Sequence, residues 1–172
     1  RARIRKAGDL IDIHESKLNN IGKPFQGSRP LSKRWFDTKP MLRDKLRKRI
    51  YNYFNNVVKG KAKENLWTTF KQYENALRGN GYASGFLACN ARATNRYRGK
   101  QNLAYCCDIY MRPNLIQFFR VKGIEPDQAQ YALSQLIQWV WRSQIRDGKP
   151  ISIYIPSLRM RELLKGWLQD AA

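Results

Sequence analysis

The stretch PDQAQYALSQLIQWVWRSQIRDGKPISIYIPS, residues 126–157, runs from an amphipathic pattern into a buried one. Pro126 and Asp127 make a good helix opening, because proline presets φ for the first turn and aspartate accepts from otherwise unpaired backbone N–H groups. At about 100° per residue, Ala129, Leu133, Leu136, Ile137, Val140 and Trp141 cover one side. The pattern predicts a helix closing near Asp147 and Gly148. Residues 151–155 then read as a buried strand, and Pro156 and Ser157 cap a last helix with Leu163, Leu164, Trp167 and Leu168 turned inward.

Working back along the chain, residues 85–89 are a short apolar run suited to a buried strand, leading into the polar stretch 90–98. Residues 103–109 form a second such run. Pro113 starts a short helix carrying Leu115, Ile116, Phe118 and Phe119 up to Gly123. Strand, polar loop, helix, strand and helix in succession predict an α/β fold, part of a parallel sheet flanked by helices. In such a sheet, a polar loop at the carboxyl end of a strand is a standard place for ligand contacts.

Residues 41–57 are helical in pattern, with Leu42, Leu46, Ile50, Phe54 and Val57 recurring while Arg43, Lys45, Arg47, Lys48 and Arg49 crowd the remainder. After Gly60, a second helix is expected over 64–77, with Leu66, Trp67, Phe70, Tyr73, Ala76 and Leu77 as its apolar residues. The first forty residues hold closely spaced breakers and read as a loop-rich basic arm, in which Leu10, Ile11 and Ile13 make a short strand or helical turn. The expected organisation is thus a basic arm and helix over 1–60 and an α/β unit over 61–172. A start at Arg1 rather than methionine reads as processing or as a piece of something longer.

With 33 Lys and Arg against 13 Asp and Glu, the 172-residue chain carries a formal charge of +20, far beyond what solubility asks of one domain. A polyanion is the natural counterpart, since cationic side chains gain affinity by releasing counterions from a phosphate backbone. The aromatics Trp35, Phe36, Tyr51, Tyr53, Phe54, Tyr97 and Tyr105 are candidates for stacking on unpaired bases, although an aromatic more often fills the core than forms a stacking platform. No apolar run is long enough to span a bilayer, and no signal-peptide pattern opens the chain. Cys89, Cys106 and Cys107 lack CxxC spacing and read as reduced thiols of a bacterial host cytoplasm.

Self-sufficient catalytic machinery is hard to find. His14 is the sole histidine, which weakens any triad and excludes a histidine-rich metal cluster. Asp9, Asp12 and Glu15 would share a face if helical and so offer a magnesium site for a nuclease or recombinase. The same acids also serve to offset local positive charge. No GxxxxGK[ST] loop cradles a triphosphate. On a continuous helix, Gln138, Arg142 and Arg146 fall within roughly 80° of one another, a pair of guanidinium forks suited to phosphate or simply a solvated face.

Trp67-Thr68-Thr69-Phe70, residues 89–95, residues 133–143 and Tyr154-Ile155-Pro156-Ser157 together resemble, in their order, superfamily 2 helicases, more narrowly the DEAD/DEAH-type helicases of phages and mobile elements. The likeness covers about residues 65–170, with residues 86–97 resembling motif V and the helix of Gln138, Arg142 and Arg146 resembling motif VI. It implies the second RecA-like lobe of a two-lobe motor, with ATP and magnesium held mainly by a preceding lobe. Under this likeness, Arg92, Thr94 and Asn95 would touch the nucleic-acid backbone. Arg142 and Arg146 would be arginine fingers, with Gln138 orienting neighbouring groups. The motif departs from the family in having Trp141 where glycine is usual and arginines four rather than three residues apart.

The expected partner is DNA, with RNA also possible, and the full candidate contact set adds Arg96, Arg98, Arg43, Lys45, Arg47, Lys48 and Arg49. Beside the helicase lobe stand two other readings: a non-catalytic nucleic-acid-binding module using those cations, and a magnesium-dependent nuclease or recombinase.

Overall fold

The computed structural model describes residues 7–91 and 94–170. Four short strands, β1 (Ile11–His14), β2 (Asn65–Thr68), β3 (Asn102–Tyr105) and β4 (Ile151–Tyr154), form one sheet in the order β1-β4-β3-β2. Every neighbouring pair is parallel, with Ile11 opposite Ile151, Leu103 opposite Ile153 and Leu66 opposite Leu103. Helices α1 (Lys33–Thr38), α2 (Pro40–Asn52), α3 (Glu74–Leu77), α4 (Pro113–Val121) and α5 (Gln128–Val140) occupy the connections, and α6 (Leu158–Asp170) follows the last strand.

A parallel sheet needs cover on both faces, so its strands are apolar on both. Alternation sends Leu66, Leu103, Tyr105, Ile151 and Ile153 to one face, where Ala132, Leu136, Trp139 and Val140 of α5 and Met160 and Leu164 of α6 meet them. Trp67, Ala104, Cys106 and Tyr154 turn to the other, against Trp35 and Phe36 of α1 and Leu46 and Ile50 of α2. The expected parallel sheet flanked by helices is therefore present. No helix among the described residues is long and apolar enough to cross a membrane.

Three local expectations are corrected. The helix expected over 64–77 begins instead as strand β2, and only Glu74–Leu77 is α-helical. Leu66 and Trp67 are consecutive and both fully buried, which a strand between two covered faces permits. Two asparagines fix its start: Asn102 donates to Asn65 Oδ1 at 3.0 Å, and Asn65 donates to the Gly81 carbonyl at 2.8 Å. The run 85–89 is not a full strand; it touches β2 through a single bridge, Trp67 to Phe86. There Gly85 lies so close that a Cβ would sit 2.1 Å from the Asn65 carbonyl oxygen.

The third correction bears on function. α5 stops at Val140 rather than near Asp147, so Gln138 alone of the proposed trio is on it. The buried Ser143 hydroxyl donates to the Val140 carbonyl at 2.7 Å and accepts from the Ile145 N–H, starting a separate 3-10 turn, Gln144–Asp147. Gly148, at φ +71°, ends that turn in the left-handed conformation.

The expected division at residue 60 runs through a continuous core: β1 pairs with β4, and α2 covers the same sheet as the later elements. A π-helical turn, Tyr53–Val57, follows α2 and buries Tyr53 and Phe54. Of the seven candidate stacking aromatics, Trp35, Phe36, Tyr53, Phe54 and Tyr105 are buried as core.

Candidate functional site

Trp139 sets the site's position. Buried beneath α5, it donates from Nε1 to the Leu87 carbonyl at 2.9 Å and so holds residues 87–91 alongside the helix. Between them lies a crevice of about 320 Å³, walled by Cys89 and Asn90 on one side and by Tyr131, Gln135, Gln138 and Arg142 on the other. These four lie at positions i, i+4, i+7 and i+11, one stripe of the helix and its exit. A second cavity of about 780 Å³ opens on the far side, bounded by Leu10, Gln138, Trp141, Arg142, Arg146 and Trp167. Gln138 and Arg142 border both spaces.

The polar loop expected to contact ligand meets the arginine-bearing turn directly. Arg146 Nη1 donates to Asn95 Oδ1 at 2.8 Å, and Arg98 Nε donates to Asp147 Oδ2 at 2.7 Å. The backbone adds a third link, Gln144 N–H to the Lys100 carbonyl at 3.0 Å. Arg98 holds the Asp147 carboxyl below its ordinary value by hydrogen bonding. Tyr97 donates to the Phe86 carbonyl at 3.1 Å, which ties the loop also to the segment leading into the crevice wall. Among the described residues, neither Arg142 nor Arg146 has a carboxylate within ion-pair distance. Two forks without anionic partners, beside an open cavity, are chemically fitted to an incoming phosphate.

The family described as YonV C-terminal Rossmann-like domain matches residues 5–168. The chain belongs to that family. It is 47% identical over 160 residues to the SPbeta prophage-derived uncharacterized protein YonV of Bacillus subtilis (strain 168). The alignment takes in 93% of this chain and 38% of that relative, so the chain spans well under half of the relative's length. No solved structure matches. The family's description names the fold seen here, a parallel α/β sheet, and a position within a longer protein; it names no activity.

In this YonV-type domain the sequence candidates divide into two groups. Gln138, Arg142, Arg146 and Asn95 come together, with Thr94 accepting from the Arg96 N–H at 3.3 Å to shape the loop. Arg96 stands exposed with its guanidinium 5.9 Å from the Tyr97 ring centre. Arg92 lies outside the described residues. The second group, on α2, sits over the opposite face of the sheet. There Arg47 and Lys48 share Asp44 at 2.8 and 3.1 Å, Arg49 donates to the Lys17 carbonyl at 3.0 Å, and Arg43 lies 5.2 Å over the Tyr73 ring. Lys45 is exposed. The two groups therefore lie over opposite faces of the sheet.

The acidic trio expected to offer magnesium ligands is not assembled. Asp12 lies on strand β1 rather than on a helix, and Glu15 bonds Lys165 at 3.0 Å and approaches Arg161 at 3.3 Å. No group of three or more His, Cys, Asp or Glu among the described residues is placed to hold a metal ion. His14 bonds Ser16 at 2.9 Å and packs 5.5 Å from Tyr53, with burial holding its imidazole below the ordinary value.

Sequence reasoning missed Tyr131 and Gln135, although they continue the Gln138 stripe upstream at helical intervals. It also missed a cluster at the carboxyl end of β3. Asp108 is 3% exposed and bonds Arg159 at 2.7 Å, while Arg159 and Arg29 lie 4.2 and 4.9 Å from the Tyr110 ring. Burial raises the Asp108 carboxyl and Arg159 counters it. Partners 51 residues apart leave no local pattern to read.

Proposed function

We propose that this YonV-type domain is the second lobe of a nucleic-acid-dependent ATP-driven motor of the helicase kind, acting in the host cytoplasm. The single observation that carries the reading is the Arg146–Asn95 contact beside Arg142, which has no carboxylate partner among the described residues. The two segments that resemble helicase motifs V and VI meet in space, beside a cavity of about 780 Å³ that Arg142 and Arg146 help to line. ATP and magnesium would be held mainly by another lobe, where the metal would supply Lewis-acid charge to the phosphates. This chain's part is to bring guanidinium N–H donors to the terminal phosphate, where charge builds during transfer.

The residues present suit that part and no larger one. They offer forked donors but no glycine-rich backbone cradle, so a triphosphate needs a second lobe to anchor it. The +20 charge favours a nucleic-acid strand, with Thr94, Asn95 and Arg96 on the loop nearest the arginines. The experiment that tests the reading measures ATP turnover by a longer YonV-type protein carrying this domain, with and without single-stranded DNA. Turnover should rise with added DNA, and the 172-residue chain alone should show none. A longer protein whose ATP turnover ignores nucleic acid would overturn it.

The exposed cations of α2 favour a second reading, a nucleic-acid-binding module without nucleotide chemistry. It predicts a steep salt dependence of DNA affinity and no effect of nucleotide on that affinity.

A further inference from the structure

Cys89 and Cys107 are far apart in sequence terms for a local contact, 18 residues, yet their sulfurs lie 3.1 Å apart. Cys89 is on the crevice wall, and Cys107 follows β3 on the sheet face beneath it. The Thr68 hydroxyl stands 3.3 Å from Cys89 Sγ, which also lies 3.7 Å from the Thr69 carbonyl. Cys106, next in the chain, alternates to the opposite face among α1 and α2 residues and has no such neighbour. The crevice gives a small solute a route to Cys89, whereas Cys107 is fully buried.

We propose that Cys89 and Cys107 are a peroxide-reactive pair that closes reversibly into a disulfide. The Cys89 thiolate attacks one oxygen of hydrogen peroxide, breaking the O–O bond; Cys89 becomes a sulfenic acid, and the leaving hydroxide takes a proton to depart as water. The Cys107 sulfur then attacks the sulfenic sulfur, the S–O bond breaks, and a second water leaves with the Cys107 proton. Two thiols are oxidised by two electrons in all and one peroxide is reduced. A dithiol reverses the change by thiol exchange.

The arrangement divides the roles. Hydrogen bonding from Cys107 favours the Cys89 thiolate against the opposing effect of burial, with Thr68 adding to it, and burial keeps Cys107 protonated until it is needed. The bond would tie the segment carrying Leu87 and Cys89 to the exit of β3, fixing one wall of the crevice that faces Gln135 and Arg142. The thiol chemistry itself does not rest on the motor reading, because it is read by mass and not by nucleotide.

The test treats the reduced 172-residue chain with hydrogen peroxide, with and without dimedone, then alkylates and maps peptides by mass. The untreated chain should carry three alkylatable thiols, and the treated chain a peptide joining Cys89 to Cys107 with the loss of two hydrogens. Cys107→Ser should block the link and raise dimedone capture at Cys89 by about tenfold, while Cys106→Ser should form the link as the parent does. Should Cys107→Ser fail to fold, the parent's peptide map still decides. Three intact thiols after peroxide, or a link through Cys106 or between chains, would overturn the proposal.

Discussion

Arg146 Nη1 reaches Asn95 Oδ1 at 2.8 Å, joining the turn after α5 to a loop 51 residues earlier in the chain. The bond is exposed and is worth about 1 kcal/mol or less to folding. Its meaning is positional: it holds a guanidinium at the mouth of the larger cavity without cancelling its charge, as a carboxylate would. Arg98, three residues beyond Asn95, is spent on Asp147 in just that way.

That contrast yields a test on nucleic-acid affinity. Arg96→Ala should weaken oligonucleotide binding and lower the salt slope by about one, the share of one phosphate contact. Arg98→Ala should do less, since its charge is already neutralised. Fluorescence anisotropy across a salt series measures both, and equal losses would count against the assignment of loop roles.

Trp139 fixes the crevice through one buried hydrogen bond to Leu87. Replacing it by phenylalanine keeps most of the ring volume and leaves the Leu87 carbonyl unpaired. Stability should fall by about 1–3 kcal/mol in denaturant unfolding. Residues 87–91 should then exchange amide protons faster, and unchanged exchange there would refute the anchoring role.

Two glycines should respond in opposite senses to alanine. At Gly85 a methyl would collide with the Asn65 backbone, so the edge of the sheet must shift, at a cost of about 2 kcal/mol or more. At Gly166, within α6, nothing lies within 4 Å of the added carbon, and the substitution should stabilise by about 0.5–1 kcal/mol. Thermal melts of both variants check the pair.

The lone histidine allows a clean pH experiment. Burial lowers His14 in the folded chain below its ordinary 6.5, so the unfolded chain binds the proton more tightly. The stability it confers is therefore full above pH 6.5 and is lost as pH falls below 6.5 and through the folded value. His14→Asn should flatten that part of the stability curve, measured as the urea midpoint against pH. A curve of undiminished slope would assign the effect elsewhere.

Much of this architecture is readable from the chain. The apolar run before Pro156 is β4, Pro113 and Asp127 open real helices, and the parallel sheet follows from the alternation of segments. β2 was hidden because Leu66 and Trp67 satisfy helical spacing with Phe70, Tyr73 and Leu77, while two covered sheet faces demand an apolar residue at each of the same two positions. The end of α5 was hidden too, because Ser143 breaks the helix through a hydroxyl bond that periodicity does not register. Of the site, Gln138, Asn95, Arg142 and Arg146 were legible as residue types. Their meeting required the fold, and the opposite placement of the α2 cations could not be foreseen from charge density.

The proposed service of Arg142 and Arg146 to phosphate chemistry on another lobe is open to experiment. Its most direct measurement is DNA-stimulated ATP turnover by a longer YonV-type protein bearing Arg142→Ala and Arg146→Ala, singly and together, with oligonucleotide affinity taken on the same samples. A loss of about 10³-fold or more in turnover is expected for at least one arginine, with affinity changed by about threefold or less. Full turnover in the double variant would contradict it.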